Sequence, residues 1–421
     1  MPVAAVPVLH LDLLQTLTLA TVVFYAGVLL RRRVPMLDRL NIPSAVVGGL
    51  LFAALVFVLH GRVLDIRVET VGQPLLNVAF FTSIGMGASV PLLRAGGVPV
   101  LVFLLFSIAV CVAQNVVGMA VASAFDEAPL MGVLAGSVTL VGGPATGLAF
   151  APQFAAAGVD GAEVIAISAA VFGIVCGGLA GGPVGTWLIK RHGLRPGPAP
   201  EGELEAELRF PEDLPHGSIA PEELPVRTVV VDVDREDTPL IRNLAVLAVA
   251  MGLGSVVSHY IQAAGITLPA YIGAMVVASV IRNLDDVTGW FRIEERAMEF
   301  IGGIALNIFL VVALMDLKLW QLAGEALALV AILLAQLVTI VALAVLVSYR
   351  LMGRNYDSAV MAGGFIGFAM GTTANAVANM RALVGRFGAA PTAFLVIPLV
   401  GAFFIDFANA LIITGFLNWS R

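Results

Sequence analysis

The stretch Met370-Gly-Thr-Thr-Ala-Asn-Ala-Val-Ala-Asn-Met380 decides the fold. It carries no charge, yet four hydrogen-bonding side chains fall within eight residues: Thr372, Thr373, Asn375 and Asn379. Apolar sequence flanks it on both sides, in a chain of which 59% is hydrophobic. Small and uncharged polar residues that interrupt an apolar run indicate a helix that breaks at membrane depth, where the freed backbone lines protein or water.

Composition places the whole chain in a lipid bilayer. Its mean hydropathy is +0.97, and 12% of its 421 residues are charged, against about 25% in soluble domains. Most of its apolar runs reach the roughly 20 residues with which a helix crosses about 30 Å of hydrocarbon. The sequence therefore predicts an all-α integral membrane protein. The runs are residues 13–30, 42–59, 96–125, 161–189, 244–261, 266–281, 300–315, 326–349 and 389–419.

Basic residues give the predicted orientation, because they are enriched on the cytoplasmic side of a membrane. Arg31, Arg32 and Arg33 follow the first apolar run, so we place that end in the cytoplasm and both termini outside. Most other basic residues fall on the same side if segments 131–150 and 358–380 each enter and leave the membrane on one face. The chain then has ten spans and two re-entrant hairpins.

Short matches between the two halves predict two inverted repeats of five transmembrane helices, each with one hairpin. Inverted repeats with small, polar breaks at corresponding positions are typical of secondary transporters. The matches are Asn77-Val-Ala-Phe with Asn307-Ile-Phe-Leu, Ala113-Gln114 with Ala335-Gln336, and Gly142-Gly-Pro-Ala-Thr146 with Gly371-Thr-Thr-Ala-Asn375.

The chain divides into three parts on this interpretation. Membrane repeats at 1–192 and 240–421 are joined by a segment at 193–239. That segment holds twelve acids against four arginines, together with eight prolines. Such a composition cannot bury an apolar core, so we predict a solvated cytoplasmic linker, with room for one short strand at 229–231.

The two breaks predict a site for a small anion. A half-helix that begins at a break has free N–H groups and a partial positive charge, which bind a carboxylate. For the Thr-Asn cluster the alternative is close helix packing with interhelical hydrogen bonds, and for Arg381 it is an anchor at the membrane surface. The predicted substrate-binding residues are Gly142, Gly143, Pro144, Ala145, Thr146, Gly371, Thr372, Thr373, Asn375, Asn379 and Arg381.

A buried acid predicts a cation site beside the anion. Asp406 lies well inside the last apolar run, and Asn409 follows on the same helix face. An ionised Asp at the bilayer centre costs about 2.5–3.5 kcal/mol on insertion scales, so it needs a partner or a cavity. Together with Asn77, Asn307 and Thr373, these residues are the predicted metal ligands. Hydrogen bonding between helices is the alternative role for Asp406 and the asparagines.

At these residues the chain resembles the bacterial sodium/glutamate symporter family. The resemblance implies symport of Na⁺ with glutamate or a related anionic amino acid, two inverted five-helix halves, a homodimer in the bacterial inner membrane and elevator-like alternating access. The residues that carry it are Gly142, Gly143 and Thr146, residues 172–183, Lys190 and Arg191, Thr373 and Ala376, residues 378–380, and residues 398–411. At 142–146 and 373–375 this chain departs from the family's usual Gly-Gly-His-Gly-Thr and Thr-Pro-Thr-like tips.

Other function classes lack their sequence features. The chain has no Gly-Lys-Ser/Thr phosphate loop for ATP, and no Ser–His or Cys–His pair falls at membrane depth. We therefore expect neither an enzyme nor a nucleic-acid-binding protein. Within transport the alternative is a proton-coupled carrier of another small organic anion, with Asp406 as the titrating group.

Overall fold

The computed structural model describes residues 6–196, 239–263, 269–320 and 326–419. Within these ranges the chain is helical, apart from loops and one pair of three-residue parallel strands in which Val8–His10 aligns with Asp65–Arg67. The helical prediction is confirmed, and the strand pair was not predicted. Most of the predicted linker, including the strand at 229–231, lies outside the described residues.

The first half contains nine helices in its described part. Regular helix is interrupted after the seventh helix. A π-helical turn at Leu134–Val138 follows that helix, and four residues then separate the turn from the eighth helix. The helices are α1 Leu13–Arg33, α2 Pro35–Arg39, α3 Ser44–Leu59, α4 Gln73–Gly87, α5 Val90–Ala95, α6 Gly97–Ala124, α7 Pro129–Val133, α8 Gly143–Ala156 and α9 Ala162–His192.

The second half, like the first, has long helices before and after a helix pair that is separated by a short break. A π-helical turn at Ala344–Ser348 joins two helices of one continuous rod. The helices are α10 Pro239–Ala263, α11 Ala270–Thr288, α12 Glu295–Met315, α13 Ala326–Leu343, α14 Tyr349–Leu351, α15 Tyr356–Met370, α16 Thr373–Phe387, α17 Pro391–Phe403 and α18 Ile405–Trp419.

Six helices in the described ranges are long and apolar enough to cross a membrane, which confirms an integral membrane protein. They are α1, α6, α9, α10, α12 and the rod Ala326–Leu351. The bent pair α17 and α18 makes a seventh if it forms one span. The other three predicted spans coincide with α3, α4 and α11, which have 16, 15 and 19 residues.

The last apolar run, predicted as one span, consists of two helices in the structure. It bends by 46° between α17 and α18. Pro398 lies inside α17 and lacks the N–H that a helix uses to bond four residues back, which weakens the helix ahead of the bend. As a result Asp406 falls in the first turn of α18, beside a break, and not in the middle of a helix.

The helices form two groups that pack together along one side. Helices α1, α3, α4, α10, α11 and α12 contact one another, and we call them the unbroken bundle. Helices α6 to α9 and α13 to α18 contact one another, and we call them the broken-helix bundle because it contains all three helix breaks. Each half of the sequence contributes helices to both bundles.

Small residues bring the helices close enough to touch through their backbones, as is usual in membranes. A Cβ added to Gly27 of α1 would overlap the Ser44 carbonyl of α3, and one added to Gly48 of α3 would overlap the Val23 carbonyl of α1. In the broken-helix bundle, a Cβ on Gly173 of α9 would overlap the Met370 carbonyl at the end of α15. Gly173 thus allows α9 to pack closely against the end of α15 at the second break.

Candidate functional site

The first break lies between the π-helical turn Leu134–Val138 and α8. Gly143, the first residue of α8, has φ +70°, a conformation that glycine adopts without the steric cost of a Cβ. Pro144 follows it. Proline has no N–H, and at the first turn of a helix that donor has no helical partner to lose. The Gly-Gly-Pro sequence therefore starts a new helix at this point.

The second break lies between α15 and α16. Gly371 departs from helical geometry, with φ −153° and ψ −97°. Thr372 then caps α16, its side-chain oxygen accepting a 3.3 Å hydrogen bond from the Asn375 N–H. The N–H groups of Thr373 and Ala374, in the first turn of α16, have no hydrogen-bond partner among the described residues.

The two breaks meet. A Cβ built on Gly143 would lie 3.9 Å from the Gly371 carbonyl oxygen and 4.0 Å from the Thr372 Cγ2 atom. Two helix starts, one from each half of the chain, therefore lie next to each other. Because each start carries the positive end of a helix dipole, their meeting point favours a negatively charged group.

A cavity of about 180 Å³ opens at this meeting point, between the two bundles. The broken-helix bundle lines it with residues of the three breaks, and the unbroken bundle with α4, α12 and the loop before α3. The broken-helix wall consists of Val141, Gly142, Gly143, Pro144, Ala145, Phe368, Gly371, Thr372, Thr373, Ala374, Gly401, Ile405 and Asp406. The unbroken wall consists of Asn41, Pro43, Phe80, Ser83, Ile84, Met86, Gly87, Glu295, Met298, Glu299, Gly302, Gly303, Leu306, Asn307 and Leu310.

Nine of the predicted site residues line this cavity. They come from both breaks, from α12 and from the start of α18, and the structure therefore brings together positions far apart in sequence. They are Gly142, Gly143, Pro144, Ala145, Gly371, Thr372, Thr373, Asn307 and Asp406. Six others do not line it: Thr146, Asn375, Asn379, Arg381, Asn77 and Asn409.

Asn375 and Asn379 face α9 and not the cavity. Their side-chain nitrogens donate hydrogen bonds to the Ile174 and Gly177 carbonyls, at 2.8 and 2.9 Å. Both side chains are buried. These bonds hold α16 against α9, which is the packing role that the sequence left open as an alternative. Arg381, two residues further along α16, is exposed.

Thr373 turns its hydroxyl toward α17. Its side chain is 5% exposed and lines the cavity. A Cβ on Gly401 would overlap the Thr373 Oγ1 atom, so the helix carrying Gly401 can approach only because that residue has no side chain. The Thr373 hydroxyl has no hydrogen-bond partner in the part of the chain that the structure describes, and it is available to a ligand.

Asp406 and Asn409 connect α18 to the first break. Asp406 lines the cavity. One turn later, the Asn409 side-chain nitrogen donates a 2.8 Å bond to the Ser137 carbonyl. The Asn409 Oδ1 and Ser137 Oγ atoms are both buried without a partner among the described residues. Buried polar atoms are nearly always satisfied, and two unsatisfied oxygens in one place suit a cation.

The two remaining predicted metal ligands differ in position. Asn307 lines the cavity, and its side-chain nitrogen donates a 2.9 Å bond to the Gly303 carbonyl within α12. Asn77 is buried in α4, and its Oδ1 atom has no partner among the described residues, but it does not reach the cavity.

Sequence reasoning missed two cavity acids and one buried amide. Glu295 and Glu299 lie in the first two turns of α12 and line the cavity. The sequence signal for these acids was their spacing of one helical turn just before the apolar run that begins at Phe300. Acids at such a position are typical of a solvated helix end. Asn115 accepts a 3.0 Å bond from the Ser137 N–H and so supports the first break.

The charged side chains on the cavity wall are all acidic. Among the described residues they are Glu295, Glu299 and Asp406, and no Lys, Arg or His lines the cavity. Attraction for an anion therefore comes from the helix starts and the threonine hydroxyls, while the acids attract cations. The wall thus offers separate places for both signs of charge.

Comparison with known proteins finds a matching family and relatives that cover nearly the whole chain. The family described as sodium/glutamate symporter matches residues 9–389. The sodium/glutamate symporter of Escherichia coli (strain K12) is 39% identical over 412 residues, covering 97% of this chain and 98% of its own length. The sodium/glutamate symporter of Haemophilus influenzae is 36% identical over 403 residues, covering 95% of each chain.

Proposed function

This chain belongs to the sodium/glutamate symporter family, and on that premise we propose that it couples Na⁺ influx to the uptake of glutamate by alternating access. Family membership makes it a transporter and not an enzyme, with Na⁺ as its coupling ion. A related anionic amino acid is the substrate alternative, because the tips of both breaks differ from the family's usual sequences.

The observation that carries the proposal is the cavity at which two helix starts meet beside an acid. The free N–H groups of Thr373 and Ala374 and the hydroxyls of Thr372 and Thr373 suit a carboxylate. Gly143 and Ala145 add the start of α8 from the other half. A solute with two carboxylates fits a site with two such helix starts. Thr146, Asn375, Asn379 and Arg381 do not line the cavity and are not part of this proposed substrate site.

For Na⁺ we propose a site at the junction of α18 and the first break. The oxygens that suit it are the Asp406 carboxylate, the Asn409 Oδ1 atom and the Ser137 Oγ atom, since hard cations take oxygen ligands. The last two are buried and unpartnered in the described structure. Asn307 and Thr373, which share the cavity with Asp406, are predicted as further oxygen donors during transport.

The two-bundle architecture supports a proposal for alternating access. We propose that the broken-helix bundle carries the site past the unbroken bundle, as in an elevator. Asn41, Gly87 and Glu295 line the cavity near the ends of α1, α4 and α12 that bear the predicted cytoplasmic arginines. The described conformation is therefore proposed to open toward the cytoplasm.

The remaining architectural proposals concern topology and assembly. We propose ten spans in two inverted repeats, with the segments around the first and second breaks as re-entrant hairpins. Both termini are placed outside, the linker in the cytoplasm, and the protein as a homodimer in a bacterial inner membrane. The order of helices supports this arrangement, because the first break precedes α9 in one half and the second break precedes α17 and α18 in the other.

Uptake into proteoliposomes tests the proposed function. With an imposed inward Na⁺ gradient, we expect labelled L-glutamate to accumulate above its external concentration. Replacement of Na⁺ by K⁺ on both sides is the control, and it should abolish accumulation. Accumulation that follows a pH gradient and ignores Na⁺ would instead establish the proton-coupled alternative, in which Asp406 titrates. If glutamate accumulates under neither the Na⁺ gradient nor the pH gradient, the Na⁺-coupled proposal and the proton-coupled alternative are both rejected.

A further inference from the structure

Glu299 is one of two cavity acids that the proposed Na⁺ site leaves unused. It lies on α12, on the wall that faces the helix breaks across the cavity. Glu295, one turn earlier, is exposed at the helix end, where water solvates it. Asp406 lies on the opposite wall, and Asn307 is the proposed Na⁺ ligand on the wall of Glu299. The function of Glu299 therefore needs a separate explanation.

The surroundings of Glu299 do not neutralise its carboxylate. It is half-buried and makes no hydrogen bond or ion pair with any described residue. Glu295 and Arg296 are its charged neighbours on the same helix, and both are exposed. From the facing elements, Asp406 is the charged side chain on the cavity wall. A partly desolvated carboxylate without a partner is costly, and a cationic ligand removes that cost.

Glutamate has one cationic group to offer. Its two carboxylates suit the helix starts, where Thr373 presents a buried hydroxyl that no described residue binds. Its α-ammonium needs a hydrogen-bond acceptor. The helix starts carry a partial positive charge and therefore repel this cationic group. The wall that carries Glu299 is the place where an ammonium gains a charge-assisted hydrogen bond.

We propose that Glu299 binds the α-ammonium group of the transported amino acid and so makes the cavity select amino acids over dicarboxylates. The inference rests on the proposed function, because it assumes an amino acid in this cavity. It adds a specificity residue from the unbroken bundle to a substrate site whose other proposed residues belong to the broken-helix bundle. Contact from the unbroken bundle also ties amino-acid recognition to the conformation described here.

Ligand pairs that differ by one group test this role. Glutarate has the carbon chain and both carboxylates of glutamate but lacks the amino group. Dissociation constants for L-glutamate and glutarate are measured by calorimetry on the full-length purified protein in Na⁺. Glu299→Gln is the test variant. Glu294→Gln is the control, since Glu294 occupies the N-cap position of the same helix, is exposed, and does not line the cavity. Its carboxylate lies 3.6 Å from the Arg242 guanidinium, outside the cavity.

We expect Glu299→Gln to weaken glutamate binding by about tenfold to hundredfold, the loss of one charge-assisted hydrogen bond, and to change glutarate binding by less than about threefold. Glu294→Gln should change neither. Equal weakening of both ligands, or an altered Na⁺ requirement with glutamate preference intact, would overturn the role of Glu299 while leaving the proposed function standing. Failure of the wild-type protein to bind glutamate at all would overturn both.

Discussion

The side-chain nitrogen of Gln336 donates a 2.7 Å hydrogen bond to the backbone carbonyl of Gln114. The two glutamines occupy matching positions in the two halves of the sequence and meet in the middle of the broken-helix bundle. Gln114 in turn donates a 2.9 Å bond to the Ala369 carbonyl, one residue before the end of α15. This chain of bonds joins α13 and α6 to the second helix break, where no bulk water replaces a lost partner.

Gln114→Leu tests the contribution of this chain of bonds. The substitution leaves the Ala369 carbonyl without its side-chain donor, at a cost of about 1–3 kcal/mol for a buried polar group. We expect a lower unfolding temperature in detergent and weaker glutamate binding, measured by thermal unfolding with and without the ligand. Gln73→Leu, at the start of α4 and away from the breaks, is the control. Equal behaviour of the two variants would show that the bonded chain does not support the break.

Neighbouring glycines of α9 give a second, closely matched test. A Cβ on Gly181 would overlap the Asn379 side chain and the Gly363 carbonyl, whereas a Cβ on Gly182 meets nothing within 4 Å. Gly181→Ala should therefore destabilise the protein by about 1–3 kcal/mol through overpacking. Gly182→Ala should be neutral or slightly stabilising, because alanine favours helix. Thermal unfolding of both variants in the same detergent measures the difference, and equal unfolding temperatures would contradict the described packing of α9.

Gly401 and Thr373 should show strong coupling. In Gly401→Ala the new methyl group overlaps the Thr373 hydroxyl, so we expect reduced stability and reduced glutamate uptake. Adding Thr373→Ala removes the overlapping atoms, and it should restore the unfolding temperature without restoring uptake. Such non-additivity is expected for residues in contact. The control is Gly415→Ala, whose added Cβ meets nothing within 4 Å. If the second substitution restores nothing, the contact is not the cause.

Asp406→Asn should change the response to Na⁺. The substitution keeps the size and removes the charge that we propose for the cation site. We expect the Na⁺ concentration for half-maximal glutamate uptake to rise by about tenfold or more, as for loss of a charged ligand, with normal insertion in the membrane. Asp126→Asn, in the loop before α7, should keep wild-type Na⁺ dependence. An unaltered Na⁺ response in Asp406→Asn removes this residue from the cation site.

The sequence predicted the features that depend on local composition. Apolar length indicates a membrane helix wherever it occurs, and Gly-Gly-Pro or Gly-Thr-Thr inside an apolar run indicates a break because of the backbone conformations involved. Both breaks occur where such residues interrupt the runs. The matching glutamines also came from sequence alone, although their direct hydrogen bond did not.

Features that depend on helix rotation and on neighbouring helices escaped prediction. The geometry at Gly371 sets the direction in which Asn375 and Asn379 point, and sequence does not determine those angles. Glu299 resembled a solvated residue at a helix end, because its burial depends on the opposite bundle. The close approach of Gly401 to Thr373 likewise escaped prediction, because these residues lie on different helices.

A structure determined with L-glutamate and Na⁺ bound tests the central claim most directly. The account predicts substrate density between the two helix starts, in contact with residues 142–145 and 371–374, and with its amino group toward α12. The same preparation without glutamate is the control. Substrate density away from both breaks, or at one break with the other separated from it by packed side chains, would contradict the account.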